Sequence, residues 1–246
     1  ARRARQTARE ALLNVAEKLT GRRMPDDTFI VGTSGRCEYR NKGIDIFLDT
    51  IKNIEENSPS QPILAFVLVP ALVKCPRRDL AERLTGSESG LQALPEPVIT
   101  HEVNNPDGDS ILNRMRQLGF TATNADASGA VQVIYMPCYL NGNDGILDMD
   151  YYDILSGLDA TAFPSYYEPW GYTPLESVAF GVPTVTTSLS GFGQWILSEK
   201  RNGFENSGVE VVSRTDSNYC EVVEKLASDL RVLADASVDC PERISK

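Results

Sequence analysis

Apolar positions recur along the chain at two periods that take turns. Ala11, Leu12, Val15, Ala16 and Leu19 share one face of a helix over 7–19 that Gly21 ends. Residues 28–31 read as a strand and 32–42 as a glycine-containing loop, after which Ile44, Phe47, Leu48, Ile51 and Ile54 mark a second helix. The alternation continues with strands at 63–69, 131–136, 158–163, 182–187 and 209–212. Helices are predicted at 76–84, 108–118, 150–156, 173–180, 193–199 and 216–234. Six apolar, β-branched runs separated by helices imply an α/β fold, a Rossmann-like parallel sheet with helices on both faces. One domain over 1–246 accommodates the whole pattern. Residues 85–107, rich in Gly, Ser, Glu, Pro and Asn, form a long polar stretch expected to be a functional or mobile loop. The tail from Asp239 is polar and expected to fray.

Composition narrows the function. With 246 residues, 41% of them hydrophobic, the chain can bury a sizeable core. No stretch approaches the roughly 18 uninterrupted apolar residues of a membrane-spanning helix, and the 63–69 run reads instead as a buried strand. A net charge of −10 without a long basic segment argues against a nucleic-acid partner, so any phosphate site is local. Five cysteines, an odd number with no C-x-x-C pair, argue against a disulfide framework or structural zinc and fit a reducing, cytoplasmic setting. The first residues do not resemble a signal peptide.

The densest chemistry lies in Phe163-Pro-Ser-Tyr-Tyr-Glu-Pro-Trp-Gly-Tyr-Thr-Pro-Leu-Glu176, between a predicted strand and a predicted helix. In open parallel sheets ligands sit beyond the carboxyl ends of strands, and a helix N-terminus offers free N–H groups to an anion. Gly171 permits close backbone approach, and Thr173-Pro174 reads as an N-cap and N1 pair that puts Glu176 at N3. Taken as an isolated pair, Glu176 reads as half of a capping box and Glu168 as a solvated loop carboxylate, a reading that the surrounding aromatics shift. Tyr166, Tyr167, Trp170 and Tyr172 are too many aromatics to bury in one turn, and sugar rings stack on such faces. Asp148-Met-Asp150 has the Asp-x-Asp form that can hold a divalent metal, but an acidic pair before a helix more often caps it, so no metal is expected. His101, the only histidine, falls in the polar stretch and is expected to be solvated.

The string Tyr-Tyr-Glu-Pro-Trp-Gly-Tyr-Thr-Pro, followed by Gly181-Val-Pro-Thr-Val-Thr-Thr-Ser-Leu-Ser-Gly-Phe-Gly193, resembles glycogen synthases of the animal and fungal type, glycosyltransferase family 3. Gly35-Arg-Cys-Glu-Tyr-Arg-Asn-Lys-Gly-Ile-Asp45 resembles a second segment of that family, with Cys37 where an aromatic is usual. The likeness is clearest over 28–197. It implies the carboxy-terminal, donor-binding half of a retaining GT-B enzyme that transfers glucose from UDP-glucose to the non-reducing end of an α-1,4-glucan. Arg36 and Lys42 would hold the donor phosphates, and Tyr151 would stack on the base. Glu168 would act beside the transferring glucose, as nucleophile or as electrostatic partner. Trp170 and Gly171 would line the donor site, backbone N–H groups around Tyr172 and Thr173 would hold the diphosphate, and Glu176 would bind the ribose. The α-glucan acceptor would rest on an amino-terminal domain outside this chain, so the chain by itself is expected to bind donor without turnover. The resemblance also implies no cofactor, and it is compatible with homo-oligomers of the full-length protein. An ADP-glucose enzyme, a GT-B enzyme with another sugar or acceptor, and a non-catalytic nucleotide-sugar-binding module stay open as alternatives.

Overall fold

The computed structural model describes residues 2–86, 92–121 and 130–239. In chain order the elements are α1 (Arg2–Thr20), β1 (Phe29–Ser34), α2 (Ile44–Glu56), β2 (Ile63–Leu68), β3 (Val73–Pro76) and α3 (Arg78–Thr85). They continue with β4 (His101–Val103), α4 (Ser110–Gln117), β5 (Val131–Tyr135), α5 (Tyr151–Ser156), β6 (Ala160–Phe163) and α6 (Tyr172–Ala179). The last are β7 (Thr184–Thr187), α7 (Gly191–Ser198), α8 (Phe204–Ser207), β8 (Val209–Val212) and α9 (Tyr219–Asp239). Six strands form one sheet in the order β5-β2-β1-β6-β7-β8, and every neighbouring pair is parallel. From β1 the chain builds outward through β2 and β5, then returns to the other side of β1 and builds outward through β6, β7 and β8. The strand order therefore reverses between β1 and β6, the switch point at which open parallel sheets take ligands beyond their carboxyl ends.

The period of two divides the strand side chains between two cores. Phe29 and Val31 of β1, Ile63, Ala65 and Val67 of β2, and Val133 of β5 pack with apolar residues of α2, α4 and α9. Ile30, Leu64, Phe66 and Ile134 pack on the opposite face with Leu12, Val15 and Leu19 of α1 and with Ile154 and Leu155 of α5. Both faces are covered, as continuous apolar strands require. On its outer edge α1 is also held by charge. Arg5 and Arg9 pair with the buried Asp159 at 2.8 and 2.6 Å, and Asp159 in turn accepts the Ile30 N–H at 2.8 Å.

Several boundaries differ from the periodicity. β1 runs through Gly32-Thr33-Ser34, which pair with Phe66, Val67 and Leu68, so the following loop begins at Gly35. Helix α7 starts at Gly191, where the Ser190 side chain accepts the Gly193 N–H, and α9 starts only at Tyr219. The antiparallel pair β3–β4 and the short α8 carry no apolar period that would announce them. Nor is the polar stretch a loose loop where it is described. Buried Arg77 donates to the carbonyls of Pro95, Glu96 and Ile99 and tethers the segment before β4, while 87–91 lie outside the described residues. The tail after Asp239 lies outside them as well.

Candidate nucleotide-sugar site

The loops leaving β1 and β6, on either side of the reversal, are the two segments that the sequence marked for chemistry. They lock together through backbone. The Asn41 carbonyl accepts the N–H groups of Tyr166 and Tyr167 at 2.8 and 3.3 Å. Gly43 caps α2 in the left-handed region with φ 67°, and a β-carbon there would lie 1.8 Å from the Pro164 carbonyl oxygen. No other residue type fits that approach. On the far side of the second loop, Gly191 N–H donates to the Glu168 carbonyl at 3.1 Å and Phe192 N–H to that of Trp170 at 2.6 Å. Thr187 Oγ1 donates to the Ser165 carbonyl at 2.6 Å.

This seam brings Lys42 and Glu168 together, the Lys42 ammonium donating directly to Glu168 Oε2. Both side chains are mostly shielded, 14% and 16% exposed, so Glu168 is not the solvated carboxylate that a loop position alone suggests. Arg36 stands apart on the same loop, paired with Glu38 at 3.1 Å and 76% exposed. The structure does not bring it against Lys42 or Glu168. Cys37 and Arg40 are exposed beside it.

Helix α6 starts at Tyr172, not at Pro174. Its N-cap is Gly171, with φ 105° and no side-chain cap, so Thr173 and Pro174 lie within the first turn. Proline is tolerated there because the first-turn N–H groups have no intrahelical partner. Glu176 consequently falls beyond the N3 position and completes no capping box. It accepts the Tyr152 hydroxyl at 3.0 Å instead, and the Tyr152 ring stacks on Phe180 with centroids 5.1 Å apart and planes 5° from parallel. Tyr167, Trp170 and Tyr172 stay exposed around this uncapped N-terminus, with Trp170 set edge-on to Phe192 at 6.1 Å. Free N–H groups and the helix dipole make such an end favourable for an anion.

Tyr151 sits at the start of α5, its hydroxyl 2.8 Å from Ser34 Oγ at the end of β1, and burial pushes its pKa up to about 12. Its ring is only partly buried and tilts against Tyr152 at 5.4 Å. Sequence reasoning overlooked two residues here. Tyr152 is one position from a residue it did single out. Arg214, on the β8–α9 loop, is a buried arginine whose guanidinium donates to the Pro164 carbonyl and lies 5.1 Å from the centre of the Tyr166 ring. Nothing local to Arg214 announces that contact.

His101 is buried, contrary to the solvated role expected of it. Thr100 Oγ1 lies 2.8 Å from its Nδ1 and the Asp144 carbonyl 3.0 Å from its Nε2, and burial lowers its pKa. The thiol of Cys138 and the carboxylate of Asp144 lie close to this ring. That carboxylate is taken up by the N–H groups of Ile146, Leu147 and Asp148, and both imidazole nitrogens have protein partners, so the ring and the carboxylate hold the segment 144–148. In the Asp-x-Asp pair, Asp148 Oδ1 accepts the Gly145 N–H at 2.6 Å, and Asp150 is the N-cap of α5 without a side-chain cap bond. Among the described residues Cys37, Cys75, Cys138 and Cys220 are free thiols, and no helix is long and apolar enough to cross a membrane.

Comparison with known proteins bears on the family of the chain. A profile of the glycogen synthase family matches residues 81–240, well past the stretch where the likeness is visible by eye. Glycogen [starch] synthase isoform 1 of Saccharomyces cerevisiae is 30% identical over 265 residues, a match that covers 82% of this chain and 37% of the yeast protein. The liver glycogen [starch] synthase of Mus musculus is 29% identical, with 70% and 31% covered. The catalytic domain of Arabidopsis thaliana starch synthase IV, solved with ADP and acarbose, superposes with a TM-score of 0.47 at 10% identity, covering 92% of this chain and 38% of that one. The chain spans about a third of the length of the curated relatives it matches. With the profile matching more than half of its residues, this chain belongs to the glycogen synthase family.

Proposed function

We propose that this chain is the nucleotide-sugar-binding part of a retaining glucosyltransferase that moves glucose from UDP-glucose to the non-reducing end of an α-1,4-glucan. One observation carries the reading: the strand-order reversal sets the Lys42–Glu168 contact beside the uncapped N-terminus of α6, at the carboxyl ends of the strands where parallel sheets take ligands. A diphosphate fits that end. The N–H groups of Tyr172 and Thr173 face its oxygens, Gly171 lets it approach, and Lys42 neutralises part of its charge. Arg36, exposed on the same loop, swings onto the phosphates when donor binds. Tyr151 supplies a ring for the base, Glu176 an acceptor for the ribose hydroxyls, and Trp170 an amphipathic wall.

In transfer, the bond from the anomeric carbon to the diphosphate oxygen breaks, a bond to an acceptor hydroxyl oxygen forms, and the proton of that hydroxyl passes to the departing diphosphate, releasing the nucleotide. Lys42 and the α6 N-terminus stabilise the negative charge that grows on the leaving diphosphate. Glu168, held within reach of Lys42, stabilises the positive charge that grows on the sugar. No metal is needed in this scheme, because an ammonium, a guanidinium and a helix N-terminus do the neutralising. The acceptor glucan and the rest of the cleft belong to a second, amino-terminal domain in the GT-B arrangement, and the protein works in the cytoplasm. UDP is preferred to ADP because the motif strings resemble the UDP-using synthases.

The test is a calorimetric titration of the chain with UDP, UDP-glucose and ADP. Saturable UDP binding that Arg36→Ala with Lys42→Ala abolishes is the expected result, whereas tighter ADP binding overturns the choice of base. Glucan elongation by the full-length protein separates an enzyme from a module that only binds.

A further inference from the structure

We propose that Arg214 is a positioning residue for the nucleotide-sugar site, clamping the segment that carries Glu168 onto the loop that carries Lys42. The inference rests on the donor-site reading above and adds a residue to it. Arg214 lies fifty positions beyond Pro164 in the chain, on the β8–α9 loop, and only 7% of it is exposed. Its guanidinium donates to the Pro164 carbonyl, the same oxygen against which Gly43 packs. One side of the guanidinium lies over the Tyr166 ring at 5.1 Å, and the Tyr166 hydroxyl donates to Asp216 on the same loop as Arg214. The loop is itself tied back to the sheet, since Arg214 N–H donates to Ser188 Oγ at 3.0 Å. Asp45, the second residue of α2, lies within electrostatic range and counters the buried positive charge.

These contacts have a common geometry. Pro164 and Tyr166 flank the backbone that Thr187 and Asn41 hold from other sides, and Glu168 follows two residues later. A guanidinium suits the position because it is planar: one edge donates to a carbonyl while a face stacks on an aromatic ring. A buried arginine that serves no such purpose is costly, since desolvating its charge must be offset by good partners. Removing it frees the start of the segment. Glu168, Trp170 and the Gly171 cap of α6 then sample positions away from Lys42. The effect on ligand passes through the backbone, because the pairing of Arg214 is with protein groups.

The experiment compares Arg214→Met, Arg214→Lys and Tyr166→Leu with the parent chain by UDP calorimetry, well below each variant's unfolding midpoint. It adds acrylamide quenching of Trp170 in a Trp195→Phe background, where Trp170 is the only tryptophan left of the 2 in the chain. Arg214→Met is expected to weaken UDP binding about tenfold, corresponding to ~1.4 kcal/mol, and to raise Trp170 quenching. Arg214→Lys should recover part of both, and Tyr166→Leu should move both in the same direction without touching the charge. A lowered unfolding midpoint with unchanged UDP affinity and unchanged quenching would overturn the proposal and leave Arg214 a purely structural residue. If the parent chain itself binds no UDP, the donor-site reading fails; quenching still tests the clamp, increased quenching supporting it and unchanged quenching refuting it.

Discussion

Lys42 and Glu168 are oppositely charged side chains in a shielded contact, and each is presented by a loop whose backbone is fixed to the other loop. That fixation is what lets a flexible ammonium act at a defined point. Hydrogen bonds to charged groups contribute about 1.5–3 kcal/mol, so Lys42→Ala should weaken UDP binding roughly ten- to a hundredfold. An unchanged dissociation constant in the same titration would remove Lys42 from the site. Gly43 beside it has a structural role that follows from distance alone. A methyl group there meets the Pro164 oxygen at 1.8 Å on a backbone with φ 67°. Gly43→Ala should lower the urea-unfolding free energy by at least about 2 kcal/mol, the strain of a left-handed alanine plus the displaced loop. An unshifted midpoint would mean that the loops do not meet at Gly43.

At the scale of elements, the same economy recurs in the β3–β4 ribbon. Arg77 gathers the carbonyls of Pro95, Glu96 and Ile99, and His101 bridges Thr100 to the Asp144 carbonyl, so a polar segment is fixed by two side chains in place of an apolar face. The pH dependence follows with a definite sign. Burial lowers the His101 pKa below its ordinary 6.5, so the unfolded chain binds the proton more readily than the folded one. The stability from neutral His101 is therefore complete above pH 6.5 and is lost as pH falls from there through the folded-state pKa. His101 is the only histidine, which makes the test clean. Urea unfolding between pH 7 and 5 should steepen in its loss for the parent chain relative to His101→Gln. Parallel curves would show that the ring titrates alike in both states.

For the whole molecule, the proposed site lies where the β1 and β6 halves of the sheet meet, and a ligand bound there would contact loops from both. Binding to the folded state alone stabilises it by about 2.7 kcal/mol at a ligand concentration of 100 Kd. For a chain of this size that corresponds to a rise in Tm of about 5–10 °C. Differential scanning with UDP at that excess should show it, and an unmoved Tm would mean that UDP does not bind the folded chain in preference to the unfolded one.

The alternation of helical and strand periods in the sequence was sufficient for the α/β class and for the position of nearly every core strand, because burial on both faces demands continuous apolar runs. The motif strings likewise pointed to the family, and they marked the two loops that the Lys42–Glu168 contact joins. Order within the sheet was not legible, as a parallel strand carries no mark of its neighbour. The short elements β3, β4 and α8 were not legible either, having too few residues to show a period. Nor was the cap at Gly171, where Thr173-Pro174 offers an equally good local signal and only the docking of the loop against Gly191 and Phe192 moves the helix start to Tyr172. His101 and Arg214 were decided by tertiary structure for one reason: a polar side chain becomes buried when distant backbone groups arrive to satisfy it, and those partners lie 43 and 50 residues away.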